Sequence, residues 1–149
     1  MKPQTWTQIR AAILVATTVV GVAITVEAQG VSSGRLFECS VKQVVALRDD
    51  GSIGSTPWTK SLSKIDRFSR FTFDEARGAF RWSGDDKVWT YDVRQHGTDQ
   101  NSLVALRTYQ GPAAFVLATL EINAFNDGAE GFPFLLNSAE VYSGFCQAR

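Results

Sequence analysis

Apolar and polar residues alternate along most of the chain from Arg35 onward, with the period of two that is typical of strands buried on one face. The first run places five apolar residues on one side of a predicted strand: Phe37, Cys39, Val41, Val45 and Leu47. Glu38, Ser40 and Lys42 alternate with them, and only Gln43 interrupts the apolar set. The Asp49-Asp50-Gly51 sequence that follows predicts a tight turn.

Aromatic residues mark the next strands. Phe71 and Phe73 precede the connection 74–78, and Phe80 and Trp82 follow it, which predicts a hairpin with all four rings on one face. Further strands are predicted within residues 87–95, 103–109, 114–124, 132–136 and 139–146. Because proline cannot donate to a strand ladder, Pro133 predicts an edge strand or a bulge in the fourth of these segments.

Residues 57–67 do not alternate, and they predict one short helix or a structured loop. Thr56-Pro57 is typical of a helix N-cap followed by proline at the first helical position. Trp58, Leu62 and Ile65 recur at helical spacing, and one hypothesis is that this apolar stripe plugs one end of the sheet. The alternative is a binding face for an anionic ligand or an acidic partner, with these candidate residues: Trp58, Lys60, Lys64 and Arg67.

The predicted architecture is all-β, with about eight antiparallel strands joined by short connections. No alternation of strands and helices is present to support a parallel α/β sheet. An up-and-down barrel and a β-sandwich both satisfy this pattern. We favour the barrel because closure would make the first and last strands neighbours, with a cysteine in each.

Residues 1–28 have the composition of a signal peptide. Lys2 and Arg10 supply positive charge, residues 11–26 form an uncharged apolar run, and Val26-Glu27-Ala28 fits a cleavage site. The alternative is a membrane anchor, but the run is shorter than the roughly 20 residues of a spanning helix and it contains three threonines. We therefore expect cleavage after Ala28, no stable membrane anchor afterwards, a short flexible segment 29–34 and a single β domain over 35–149.

Cys39 and Cys146 are the only two cysteines in the chain. An exported chain enters an oxidising compartment, so we expect one disulfide between them, the alternative being two free buried thiols. Loss of residues 1–28 would leave 13 basic and 14 acidic residues of the 15 of each in the whole chain. That balance gives no field to attract nucleic acid or an anionic membrane.

Residues for catalysis or metal binding are few. His96 is the single histidine and lies in a polar turn, so a zinc site built on several histidines is excluded, and no Gly-x-Ser-x-Gly motif presents a serine. The acidic pairs 49–50, 74–75 and 85–86 fall in predicted turns, and Glu38 and Glu121 fall on outer strand faces. We expect no enzyme activity, no metal and no cofactor. The many aromatic residues favour either a filled barrel interior or a pocket for a small apolar ligand.

An aromatic-x-Cys opening at residues 37–39, Phe-Thr-Phe-Asp at 71–74 and a closing Ser-Gly-Phe-Cys at 143–146 follow the apparent leader. In this layout the chain resembles small exported β proteins of Gram-negative bacteria whose role is uncharacterised. Its outline is also similar to periplasmic lysozyme inhibitors of the small β-barrel type, which link an early cysteine to a late one. Those carry a Ser-Gly-x-x-Tyr loop, whereas residues 83–87 here read Ser-Gly-Asp-Asp-Lys, so no inhibitory residue is carried over.

Together these features predict a periplasmic or secreted barrel that binds a partner rather than transforming a substrate. The partners expected are an envelope protein or a small apolar ligand, and no nucleic acid. The alternative function is inhibition of an envelope-directed hydrolase, such as a lysozyme or a protease.

Overall fold

The computed structural model describes residues 34–110 and 115–149. The signal peptide predicted for residues 1–28, and all but residue 34 of the flexible segment predicted for 29–34, lie outside these residues. The regular structure of these residues is nearly all antiparallel β, and its strands are β1 (Leu36–Leu47), β2 (Ile53–Gly54), β3 (Arg70–Asp74), β4 (Ala79–Trp82), β5 (Trp89–Thr90), β6 (Asp92–Gln95), β7 (Leu103–Gln110), β8 (Phe115–Ile122), β9 (Phe132–Asn137) and β10 (Val141–Ala148). The helix α1 (Pro57–Leu62) and a 3₁₀ turn (Asp66–Phe68) connect β2 to β3.

The strands form a nearly closed up-and-down barrel, as predicted. Their order around the sheet is β5-β4-β3-β1-β10-β9-β8-β7-β6, and β2 pairs separately with the end of β1. The two ends of this path are joined in sequence, because only Tyr91 separates β5 from β6. The backbone N–H of Tyr91 donates to the carbonyl of Gly78 at 2.8 Å, which ties this junction to the start of β4.

The predicted disulfide is present and joins the first and last strands. Cys39 lies directly opposite Cys146 in the β1–β10 ladder, and the two sulfur atoms are bonded. Both residues are buried in the barrel interior. Closure of the meander brings β1 and β10 together, and the disulfide then fixes that pairing covalently.

The second half of β1 differs from the alternation predicted for it. A bulge between Val41 and Gln43 shifts the register of β1 against β10. A bulge adds one residue to one strand and so inverts the alternation beyond it. Val44 therefore faces the core in place of Val45, and Leu47, predicted to be buried, is 72% exposed.

Pro133 lies on an interior strand with no register shift, so the prediction of an edge strand or a bulge was wrong. β9 is flanked by β8 and β10, and Pro133 is paired with Phe145 of β10. On the β8 side, the ladder ends at the pair of Ile122 with Phe134, the residue next to Pro133. The missing N–H is tolerated here because the β8–β9 ladder ends, and the Pro133 carbonyl still accepts a 2.8 Å hydrogen bond from Asn123.

The two ends of the barrel differ. At the end where β1 begins, the interior is filled by fully buried side chains, among them Phe37, Phe73, Leu103, Leu120 and Ile122. We call this the closed end, and the opposite end, where β1 finishes and β3 begins, the mouth. The predicted hairpin of residues 71–82 is confirmed, with Phe71 opposite Trp82 and Phe73 opposite Phe80, and its rings extend from the core towards the mouth.

Helix α1 begins as predicted but buries a different face. The Thr56 hydroxyl accepts from the Thr59 N–H at 3.1 Å, and the Thr59 hydroxyl accepts from the Thr56 N–H at 2.8 Å, which forms a capping box. Thr59 and Leu62 are buried, whereas Trp58 and Ile65 of the predicted stripe are exposed. Only Leu62 therefore joins the core. Within residues 34–110 and 115–149, no helix is long and apolar enough to cross a membrane.

Candidate functional site

The mouth of the barrel contains a cavity of about 240 Å³. Most of its lining is aromatic: Phe68, Phe80, Trp82, Trp89, Tyr91, Tyr109 and Tyr142. The charged side chains are Arg67, Asp85 and Arg107, and Ala118, Leu136 and Ser138 complete the lining. Pockets for drug-sized ligands span about 300–1,000 Å³, so this cavity suits a smaller molecule of one or two rings.

Strand alternation delivers these side chains to the cavity. On β7 the inward positions are Leu103, Ala105, Arg107 and Tyr109, of which the first two are fully buried. On the neighbouring strand β8, the small residue Ala118 is paired with Arg107 and lines the cavity. Arg107 occupies an inward position of β7, where the alternation predicts an apolar residue, and this is a sequence signal for the site. The signal was missed because only the net charge of the whole chain was considered.

The rings at the mouth form a connected network. The centroids of Trp82 and Tyr142 are 5.3 Å apart, those of Trp82 and Phe68 5.3 Å, and those of Phe80 and Tyr91 5.5 Å. Edge-to-face and tilted contacts of this kind add about 0.5–1.5 kcal/mol per pair to the effect of burial. The walls of the cavity are therefore held in place before any ligand arrives.

Arg107 is positioned by aromatic stacking. Its guanidinium carbon lies 3.9 Å from the centroid of the Trp89 ring and 4.6 Å from that of Tyr109. A cation over an aromatic face is attracted to the ring and keeps its N–H groups at the ring edge for other partners. Among the described residues, no carboxylate lies within ion-pair distance of Arg107.

Two tyrosines of the cavity have perturbed acidity. Burial raises the pKa of Tyr91 to about 12, an effect that the nearby positive charge of Arg107 partly offsets. Burial also raises the pKa of Tyr142, with a further contribution from the Glu140 carboxylate, which accepts from the Tyr142 hydroxyl at 3.4 Å. Both phenols therefore stay protonated at neutral pH and act as neutral hydrogen-bond donors.

The four candidate binding residues predicted from the sequence are not brought together. Arg67 reaches the cavity, and its guanidinium carbon lies 4.6 Å from the Phe68 centroid. Trp58 lies outside the cavity, where its indole N–H donates to Glu140 at 2.6 Å and ties α1 to the turn between β9 and β10. Lys60 and Lys64 are exposed and do not line the mouth cavity.

A buried carboxylate at the closed end was not anticipated. Glu75, assigned from sequence to an ordinary turn, is only 2% exposed. One of its oxygens accepts from the Arg35 backbone N–H at 3.1 Å, and the other accepts from the Gly97 backbone N–H at 2.8 Å. The Arg35 guanidinium and the His96 ring approach the same carboxylate at 3.6 and 3.2 Å. Glu75 thus joins three chain segments and has a structural role.

Of the other acidic residues considered for chemistry, Asp85 lines the cavity, whereas Glu38 and Glu121 lie apart from it. Glu38 pairs with Arg149 at 2.8 Å, and Glu121 accepts from the Ser102 hydroxyl at 3.2 Å. In the part of the chain that the structure describes, no three histidine, cysteine or acidic residues cluster as metal ligands would. The mouth cavity, with its mostly aromatic lining, is therefore the candidate site.

Comparisons with family models, with curated proteins and with solved structures find no match to this chain.

Proposed function

We propose that the protein is an exported, non-enzymatic binding protein that holds a small, flat and largely apolar molecule in the mouth of its barrel. The observation that carries this proposal is the cavity of about 240 Å³ walled by seven aromatic side chains. Ligand sites in proteins are concave, mostly apolar and supplied with a few fixed polar groups, and the mouth has all three features.

The contrast between the two ends of the barrel supports the proposal. The closed end is filled by side chains that are fully buried, as a purely structural core would be throughout. At the mouth, residues such as Trp82, Trp89 and Tyr109 keep part of their surface accessible. Large rings left partly exposed around a cavity have an apolar surface available for a ligand.

The disulfide between Cys39 and Cys146 favours a periplasmic or secreted location, because such bonds persist in oxidising compartments. The signal peptide proposed for residues 1–28 would deliver the chain there. The alternative, inhibition of an envelope-directed hydrolase through Trp58, Lys60, Lys64 and Arg67, stays a prediction. It has less support, because Trp58 is already engaged with Glu140.

Native mass spectrometry of protein purified gently from its producing cells tests the binding function. We expect a bound species on the wild-type chain and its loss in an Ala118→Leu variant, because the larger side chain would occupy part of the cavity. A Trp58→Phe variant is the matched control, since it alters an aromatic residue outside the cavity, and it should retain the adduct. An adduct-free wild type, or one whose adduct survives in Ala118→Leu, would count against the proposal.

A further inference from the structure

The polar groups of the mouth cavity are mainly hydrogen-bond donors. Arg67 and Arg107 contribute two guanidinium groups to the lining. Within residues 34–110 and 115–149, neither forms an ion pair. Arg107 is stacked on Trp89 and Tyr109, so its position is set by the rings and its N–H groups need no protein carboxylate to orient them.

Tyr91 adds a third donor. Its ring is buried against Phe80 and Phe73, and in the described part of the chain its hydroxyl makes no hydrogen bond. The phenol is protonated at neutral pH, so this hydroxyl can donate to an acceptor on a ligand. An acceptor on a ligand that reaches this hydroxyl would give it a hydrogen-bond partner.

The single carboxylate of the lining is partly occupied. An Asp85 oxygen accepts from the Lys87 backbone N–H at 3.0 Å. The described lining therefore carries two arginine charges against one aspartate charge. A ligand with acceptor atoms and negative charge complements this arrangement, whereas a cationic ligand would meet Arg107 and Arg67.

Resting on the proposed function, we infer that the ligand is a small aromatic anion, whose ring lies against Trp82, Trp89 and Tyr142 and whose carboxylate or sulfonate group binds Arg107. Stacked arginines recognise planar carboxylates through paired N–H groups. The aromatic walls supply most of the affinity, and Arg107 makes the site prefer an anion to a neutral or cationic molecule.

Three probes with one ring system and different charges test this inference by isothermal titration calorimetry: 2-naphthoate, 2-naphthamide and 2-naphthylmethylamine in its protonated form. We expect 2-naphthoate to bind at least about tenfold more tightly than the neutral amide, as one charge-assisted hydrogen-bonded contact provides. The cationic amine should bind most weakly. The preference for 2-naphthoate should diminish as salt is added.

An Arg107→Gln variant should abolish the preference for 2-naphthoate while still binding 2-naphthamide. Arg81→Gln, which alters an exposed arginine on β4 outside the cavity, is the matched control and should keep the preference. Equal binding of all three probes to the wild type would overturn the anion inference and leave the proposed function standing. Binding of none of them up to their solubility limits would overturn both. The wild-type measurements decide the matter even if the Arg107 variant fails to fold.

Discussion

Replacing Glu75 should destabilise the closed end of the barrel although the residue lies far from the mouth. Its two carboxylate oxygens accept backbone N–H groups from Arg35 and Gly97, two segments that no strand pairing joins. Hydrogen bonds to a charged acceptor contribute about 1.5–3 kcal/mol each, and removing one member of a buried ionic group costs about 3–5 kcal/mol. We therefore expect Glu75→Ala to lower the free energy of unfolding by about 3–5 kcal/mol.

Glu75→Gln is the sharper substitution because it keeps the size of the side chain. Its amide oxygen can still accept one of the two backbone N–H groups, but its amide nitrogen would face the other, and two donors do not bond. The expected loss is about 2–3 kcal/mol, the cost of one unsatisfied buried donor together with the lost charge.

Urea unfolding followed by tryptophan fluorescence measures both variants against the wild type. Glu130→Gln is the control, since Glu130 is 62% exposed and only pairs loosely with Lys42 at 3.8 Å. Such a surface pair contributes about 0–1 kcal/mol, so the control should change little. If Glu75→Gln unfolded at the same urea concentration as the control, the structural role assigned to this carboxylate would be refuted.

Three further stability effects are expected. Cys39 and Cys146 lie 107 positions apart in the sequence, and for a loop of that length the chain-entropy model predicts that replacing both by alanine costs about 4–5 kcal/mol. Equal urea midpoints for the wild type and the double variant would contradict this. Gly84→Ala should lower the free energy of unfolding by about 1–2 kcal/mol, because the backbone at Gly84 is left-handed. Gly78→Ala should cost clearly more, because its backbone is also left-handed and the added methyl would overlap the Tyr91 carbonyl. Equal costs of the two substitutions in urea unfolding would refute this contact. Since burial raises the pKa of Tyr91 from its ordinary 10.0 to about 12, its contribution to stability should be complete below pH 10 and lost as the pH rises through 12. Urea titrations in this range should show a decline that Tyr91→Phe reduces, and an unchanged decline would count against the burial of this phenol.

The barrel could be predicted from sequence because its determinants are local and repetitive. The alternation of Phe71, Phe73, Phe80 and Trp82 about one turn defined a hairpin, and both cross-strand pairs are present. The cysteines in the first and last predicted strands then favoured closure over a sandwich. The same reasoning failed after Val41, because an added residue at a bulge leaves little trace in a pattern of period two.

The candidate site was harder to predict, because it depends on which side chains meet across the barrel. Arg67 was chosen for its charge in a helical stretch, yet it reaches the cavity from the 3₁₀ turn, while Trp58 binds Glu140, 82 residues further along the chain. Arg107 was passed over because one inward arginine does not stand out in a nearly neutral chain. Glu75 was assigned to a turn from its local sequence. Its burial could not be predicted, because its contacts with Arg35 and Gly97 span 40 and 22 residues.

The central claim is that the mouth of the barrel binds a small aromatic molecule, and the tryptophan indole N–H signals report on it directly. Trp82 and Trp89 line the cavity, whereas Trp58 lies outside it and serves as an internal reference. In ¹⁵N-¹H spectra of the protein titrated with 2-naphthoate, with Trp58 assigned from the Trp58→Phe variant, we expect the Trp82 and Trp89 signals to shift and the Trp58 signal to stay in place. Unchanged signals at Trp82 and Trp89, or a shift confined to Trp58, would contradict binding in the mouth.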